Sequence, residues 1–313
     1  MSTTFRRVIV TGCGKVSGEV LSYVKERQKD YGYQLEFIEH ELHSLSITEK
    51  LCGEKGISFT RIVDKKELAA YLQAFGEKIL IISAGNHFLF PKALVEKENV
   101  TIINFHNALL PDYPGRNAPS WVIYEGEKET GITWHYVTAG IDEGGIIVQK
   151  QCGIGKDTKA YELTERLMEL AYEAFTESFD AVMEERVAVR EQGFAPDRRM
   201  YRSFEIPAGG FFELTQEAGD IYRLLRSVDY GKNDIFPPVR TRIESPGGNG
   251  VREAEILRYR KIPKAKGPAE ADGRMTEAAG REGKAEGFLY LPLGEDSLLK
   301  LKYRMCAEEK TRA

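Results

Sequence analysis

Cysteine is scarce: the 313 residues hold four, and Cys13, Cys52, Cys152 and Cys306 stand too far apart to form a CxxC pair. With no histidine at metal-ligand spacing beside them, this excludes a zinc ribbon or redox motif and leaves free buried thiols and no metal site as the expectation. Long apolar runs are also missing. The stretch ending at Ser83 falls well short of the roughly 20 residues that a membrane helix needs, so no membrane association is expected. The start, MSTTFRRVIV, enters a strand without the apolar core of a signal peptide, which points to a cytoplasmic protein. An excess of positive charge is lacking too. The net charge of -4 disfavours a nucleic-acid partner, because tight polyanion binding calls for a basic surface. What remains, 42% hydrophobic and 29% charged residues, is an ordinary globular composition, and the length suggests about two domains.

Strands alternate with helices along the first half. RRVIV turns through Gly12 and Gly14 into a helix with Val16, Val20, Leu21 and Val24 at helical spacing. QLEFIEHE reads as a strand, ITEKLCGEKG and KKELAAYLQAFG as helices, and KILIISAG and NVTIINFH as further strands. Strands apolar on both faces and separated by helices predict an α/β fold, with a Rossmann-like, mostly parallel sheet covered on two sides. PSWVIYEGEKETGITWHYV then suggests a helix, a turn and a strand, and GIIVQKQCGI one more strand. Asp157 or Thr158 is placed to cap a long helix with Leu163, Leu167, Leu170, Phe175, Phe179 and Val182 along one stripe. Beyond QGFAPDRRMYRSF come one amphipathic helix and short runs of strand character, REAEILRYR, GFLYLPL and LLKLKYRMC, so a smaller, largely β C-terminal domain is expected. The boundaries read as 1–188 for the first domain, 189–204 for a linker and 205–313 for the second. The small domain's strands carry few large apolar residues, so a meagre core is expected there. Residues 264–287, rich in glycine and charge, are expected to form a mobile loop.

Side chains alternate across a strand, so in IINFH Asn104 and His106 share one face and Phe105 points away from them. Pro111 and Pro114 then force a turn directly beyond the histidine. Ligands of such sheets collect outside the carboxyl ends of strands, which is where these two polar groups stand. Asp142 occupies a glycine-flanked turn in GIDEGG. An Asn, a His and an Asp at one sheet edge offer an oxyanion donor, a proton-transfer group and a carboxylate to orient it, which suits acyl transfer. Local satisfaction of backbone groups is the competing explanation.

The run INFHNALLPDYPGRNAPSWVIYEGEKETGITWHYVTAGIDEGGIIVQK resembles the signature of the folate-dependent formyltransferases: an Asn, any residue, a His, then LLP and a glycine, followed by a GxTxH-like strand and an Asp turn. The similarity extends from about residue 5 to 185, and GDIYRLLRSVDYGKNDIFPP resembles the start of the small C-terminal domain of methionyl-tRNA and sugar N-formyltransferases. The resemblance implies the formyltransferase fold and a catalytic set of Asn104, His106 and Asp142, with His106 either moving a proton or adding charge beside the oxyanion. It implies 10-formyltetrahydrofolate as co-substrate and the primary amine of a small molecule, sugar nucleotide or aminoacyl group as acceptor. Phe88, Leu89, Phe90, Thr138 and Ile141 would line the folate site, and Gly12, Gly14 and Lys15 would face the acceptor. Where the family usually has Ser, this chain has Ala108.

Other readings stay open. TGCGKVSG lies near a dinucleotide fingerprint, with Glu36 or Glu39 as the ribose carboxylate of a nicotinamide oxidoreductase. The turn is equally readable as purely structural, and core packing explains Phe88, Leu89 and Phe90 almost as well as a pterin wall does. A methionyl-tRNA formyltransferase and a non-catalytic folate-binding module are further alternatives. His135 reads as a structural histidine, and His40, His43 and His87 have no readable partner. The arginine pairs at 6–7 and 198–199 are expected on solvated surfaces. The sequence leaves room for a homo-oligomer.

Overall fold

The computed structural model describes residues 3–40, 46–193, 199–244, 250–268, 275–278 and 286–306. The chain forms two compact units, one of Met1–Pro119, Lys128–Ile154 and Leu163–Ser203, the other of Ser120–Glu127, Gly155–Glu162 and Phe204–Ala313.

In chain order the elements up to the first long helix are β1 (Arg7–Gly12), α1 (Gly14–Tyr31), β2 (Gln34–Glu39), α2 (Ile47–Lys55), β3 (Ser58–Arg61), α3 (Lys65–Gln73), β4 (Ile79–Ala84), α4 (Lys92–Val95), β5 (Val100–His106), α5 (Ala118–Glu125), β6 (Glu129–Tyr136), β7 (Ile146–Gly153) and α6 (Ala160–Met183). The seven strands form one sheet in the order β3-β2-β1-β4-β5-β6-β7. Pairing is parallel from β3 to β5 and antiparallel for β5 with β6 and β6 with β7. The strand order reverses between β1 and β4, and in open α/β sheets that reversal opens a crevice beyond the carboxyl ends. All six residues of β4 are buried, which is why the sequence reads there as one apolar run.

Helix α1 buries Val16, Val20, Leu21 and Val24, and stops where Gly32 takes a left-handed conformation. Helix α6 buries the expected stripe except Leu170, which is half-buried. Its first turn is not capped as expected: the Thr158 hydroxyl accepts from Gly155 N–H, and Glu162 reaches back to accept from Lys159 N–H at 2.9 Å. Of the four free cysteines only Cys52 is buried. Arg7 is not solvated: it pairs with Glu77 at 3.0 Å and lies over the Phe75 ring. Arg198 and His43 lie outside the described residues.

The second unit contains α7 (Ala218–Ser227), β8 (Arg240–Glu244), β9 (Val251–Pro263), β10 (Met275–Ala278), β11 (Glu286–Pro292) and β12 (Ser297–Met305), the strands forming an antiparallel sheet in the order β10-β11-β12-β9-β8. Its core is fuller than the strand sequences suggest. Leu299, Leu301 and Tyr303 of β12 join Ile221, Leu224 and Leu225 of α7 and Phe212 in one buried cluster. A sheet packed on one face needs an apolar side chain only at every second position, so Lys300, Lys302 and Arg304 alternate with that row at no cost to the core. Within the expected loop of 264–287, residues 275–278 are a strand paired with β11, and residues 269–274 and 279–285 lie outside the described residues. Among the described residues no helix is long and apolar enough to cross a membrane.

Candidate active site

Asn104 and His106 occupy the carboxyl end of β5, where Asn104 is paired in register with Ser83 of β4 on one side and His135 of β6 on the other. The Ser83 hydroxyl donates to Asn104 Oδ1 at 2.7 Å, which turns the amide nitrogen toward His135 Nε2, 3.3 Å away. His135 Nδ1 lies 2.8 Å from the Tyr136 carbonyl. A carbonyl only accepts, so Nδ1 carries the proton, and in the neutral ring Nε2 accepts from Asn104. One N–H of Asn104 therefore remains for a ligand, with its plane held on both sides.

Asp142 stands in a left-handed backbone conformation with φ of 53°. Its Oδ2 accepts from Gly115 N–H at 2.7 Å and lies 3.5 Å from His106 Nδ1, while Oδ1 lies 3.6 Å from His135 Nε2. The carboxylate thus sits between two imidazoles, and its side chain is only 10% exposed. His106 Nε2 faces the Tyr113 carbonyl at 2.8 Å and so carries a proton on that nitrogen. A proton on Nδ1 as well would complete the pair with Asp142.

The turn between His106 and Tyr113 is pinned from β6. The fully buried Thr133 hydroxyl donates to Ala108 O at 2.7 Å and accepts from Leu110 N–H at 3.0 Å and from Gln149 Nε2 at 2.8 Å. Ala108, where the family has Ser, is itself fully buried, and the Leu110–Pro111 bond is cis.

The structure brings Asn104, His106 and Asp142 together, and it brings His135 in as the bridge among them. His135, read from the sequence as a satisfied structural histidine, is buried and bonded to Tyr136 O and to Asn104, and the same position makes it a neighbour of this cluster. Of the remaining expected residues, Ile141 directly precedes Asp142, and the others form no hydrogen bond or ion pair with this cluster among the described residues. Phe88 is buried in the apolar layer with Ile9, Ile38 and Ile81, and Phe90 packs edge-on against it at 5.2 Å. Leu89 is 70% exposed and Ile141 38%. The Thr138 hydroxyl donates to Gly140 O at 3.5 Å. Gly12 is required by close approach, since a Cβ there would stand 1.9 Å from Ala84 O. The amide of Cys13, between Gly12 and Gly14, is already donated to Gly85 O, and Lys15 pairs with Glu169 at 3.2 Å. Glu39 is buried and held by Ser46 and Arg61, and Glu36 accepts from Thr60 and Tyr71, so neither carboxylate is free for a ribose. His40 bonds the Ile62 carbonyl through Nδ1.

A doubly wound sheet that carries an Asn and a His at the carboxyl end of one strand, with a His from the next strand and an Asp from the turn beyond it beside them, defines a transferase of the formyltransferase fold. Residues 12–179 match the formyl transferase family, and the chain belongs to it. The methionyl-tRNA formyltransferase of Alkaliphilus oremlandii is 31% identical over 150 residues, 48% of this chain and 47% of that protein. GDP-perosamine N-formyltransferase of Brucella melitensis is 27% identical over 194 residues, 61% of this chain and 71% of that protein. The match thus spans about half the length of the curated methionyl-tRNA enzymes. Among solved structures, the N-formyltransferase from Helicobacter canadensis in complex with folinic acid and dTDP-3-aminofucose shares the fold, with a TM-score of 0.65 at 16% identity over 96% of this chain and 99% of that one.

Proposed function

We propose that the chain transfers a formyl group from 10-formyltetrahydrofolate to a primary amine of a small-molecule acceptor, a sugar nucleotide or an aminoacyl group. The observation that carries this reading is the oriented Asn104 amide beside the Asp142 carboxylate and its two imidazoles. Formyl transfer is the chemistry of the family to which the chain belongs, and the complex of the Helicobacter canadensis enzyme supports a folate donor and an amino-sugar acceptor.

The residues present suit a folate. Leu89 in the loop after β4 and Ile141 beside Asp142 carry exposed aliphatic side chains, which a flat apolar ring system would cover. When bound, 10-formyltetrahydrofolate supplies the formyl carbon as an N-acyl electrophile. Asn104 then donates its remaining N–H where negative charge develops on the formyl oxygen, a contribution of about 3 kcal/mol for one preorganised donor. His106 and Asp142 act as a pair. Because His106 Nε2 already faces Tyr113 O, the ring would pass a proton through Nε2 only by leaving that carbonyl, and Nδ1 is the nitrogen that faces Asp142. In the transfer the acceptor nitrogen would bond to the formyl carbon as the bond from that carbon to folate N10 breaks, and the proton the amine loses on the Asp142 side would be returned to N10, leaving a formamide and tetrahydrofolate.

The test is incubation with 10-formyltetrahydrofolate and a panel of amino sugars, sugar nucleotides, aminoacyl carriers and methionyl-tRNA, followed through tetrahydrofolate absorbance. Release that depends on one amine names the acceptor class. Release with methionyl-tRNA alone would move the chain to the tRNA enzymes, and no release with any amine would leave a binding module.

A further inference from the structure

The segment whose composition reads as a linker touches both loops of the site. Arg190 forms an antiparallel bridge to Ile146, with Ile146 N–H donating to Arg190 O at 2.8 Å, and its guanidinium donates to Gln149 Oε1. Two residues on, the buried Gln192 donates through Nε2 to Asp142 O at 3.1 Å and to Gly144 O at 2.6 Å. Gln192 Oε1 is buried with no partner among the described residues. The reverse orientation of the amide would set that oxygen against two carbonyl oxygens, so the observed one keeps the turn bound and leaves an acceptor unpaired. At the far end, Tyr201 N–H donates to Pro114 O at 3.0 Å and Tyr201 O accepts from Arg116 N–H at 2.8 Å. The Tyr201 ring stacks on that of Tyr113, with centroids 5.7 Å apart and planes within 14°. Gly115 lies so close beneath that a Cβ would stand 2.2 Å from Tyr201 O.

These contacts fall on the residues that set the site or on their immediate neighbours. Tyr113 supplies the carbonyl that His106 faces, Gly115 the amide that Asp142 accepts from, and Asp142 itself is held by Gln192. We propose that the described residues 190–193 and 199–201 act as a strap in which Gln192 and Tyr201 are positioning residues, fixing from two sides the loops that set His106 against Asp142. The proposal deepens the catalytic reading and rests on it for its functional meaning. The geometry it asserts is testable without an acceptor.

The experiment is [15N]histidine NMR of the full chain, with His106 and His135 read against His40 as the internal reference. Asp142→Asn should move the His106 ring signals. Gln192→Met, which keeps the volume and removes the donors, and Tyr201→Ala, which removes the stack, should each move the same signals and leave His40 unchanged. Tyr201→Phe should restore them. With the amine that the panel identifies, Gln192→Met should lower kcat about tenfold or more, since small misplacements of reacting groups cost that much, while both KM values stay within about twofold. Two variants on different loops keep the test decisive if one misfolds. His106 signals that move in Asp142→Asn but stay at their wild-type positions in both strap variants would overturn the strap. An Asp142→Asn protein of full activity would instead overturn the catalytic reading, whatever the ring signals show.

Discussion

Thr133→Val removes one hydroxyl and keeps the shape, so its consequence follows from three contacts. Leu110 N–H and Gln149 Nε2 would lose an acceptor and Ala108 O a donor, all at a residue with no exposed surface. Gln149 Nε2 keeps Leu110 O as an acceptor at 2.8 Å, so two groups, Leu110 N–H and Ala108 O, are left without Thr133 at about 1 kcal/mol each, a loss of about 2 kcal/mol. In a domain of this size each kcal/mol lowers the melting temperature by roughly 2–4 °C, which places the variant about 4–8 °C below wild type. Thr133→Ser is the control: it keeps the hydroxyl and loses a methyl worth about 1 kcal/mol. The assay is thermal unfolding followed by circular dichroism at one pH for all three proteins. A Thr133→Val protein that melts at or above the temperature of Thr133→Ser would refute the view that this hydroxyl holds the turn.

Two further outcomes concern other parts of the molecule. Burial would raise the Asp229 carboxyl, but hydrogen bonds from Tyr259 at 2.6 Å and Lys159 at 2.9 Å outweigh it and hold the group below its ordinary value. A depressed carboxyl stabilises above its unfolded value and loses that contribution as pH falls through the folded one, so Asp229→Asn should cost about 2 kcal/mol at neutral pH and converge with wild type in acid. Urea curves taken from pH 7 downward check this, and a gap that stays constant as the pH falls below the ordinary carboxyl range would count against it. The engaged carboxylate of Glu39 leaves no ribose partner, so millimolar NAD or NADP should not raise the melting temperature; a clear rise would revive the oxidoreductase reading.

Much of the first unit was legible because its strands are buried on both faces and its helices carry single stripes. β3 (SFTR) and β8 (RTRIE) escaped, since short strands at or next to a sheet edge can be largely polar. The antiparallel return of β6 and β7 has no signature in periodicity. Asn104 and His106 were visible as neighbours two apart. His135 was not, because its role depends on cross-strand register with Asn104, and register is not written in either strand alone. The contacts of Gln192 and Tyr201 were hidden for another reason: their partners are largely backbone groups of Pro114, Arg116, Asp142 and Gly144, which leave no mark in the sequence. The second unit also takes in Ser120–Glu127 and Gly155–Glu162, segments distant in sequence that no composition shift marks.

The central claim is that Asn104 stabilises charge on a formyl oxygen during transfer from 10-formyltetrahydrofolate to an amine. Its most direct measurement is the single-turnover rate of formyl transfer to the amine acceptor by wild type and Asn104→Ala at saturating folate. The account predicts a rate lower by about 100- to 1000-fold with folate binding retained. Equal rates in the two proteins would contradict it.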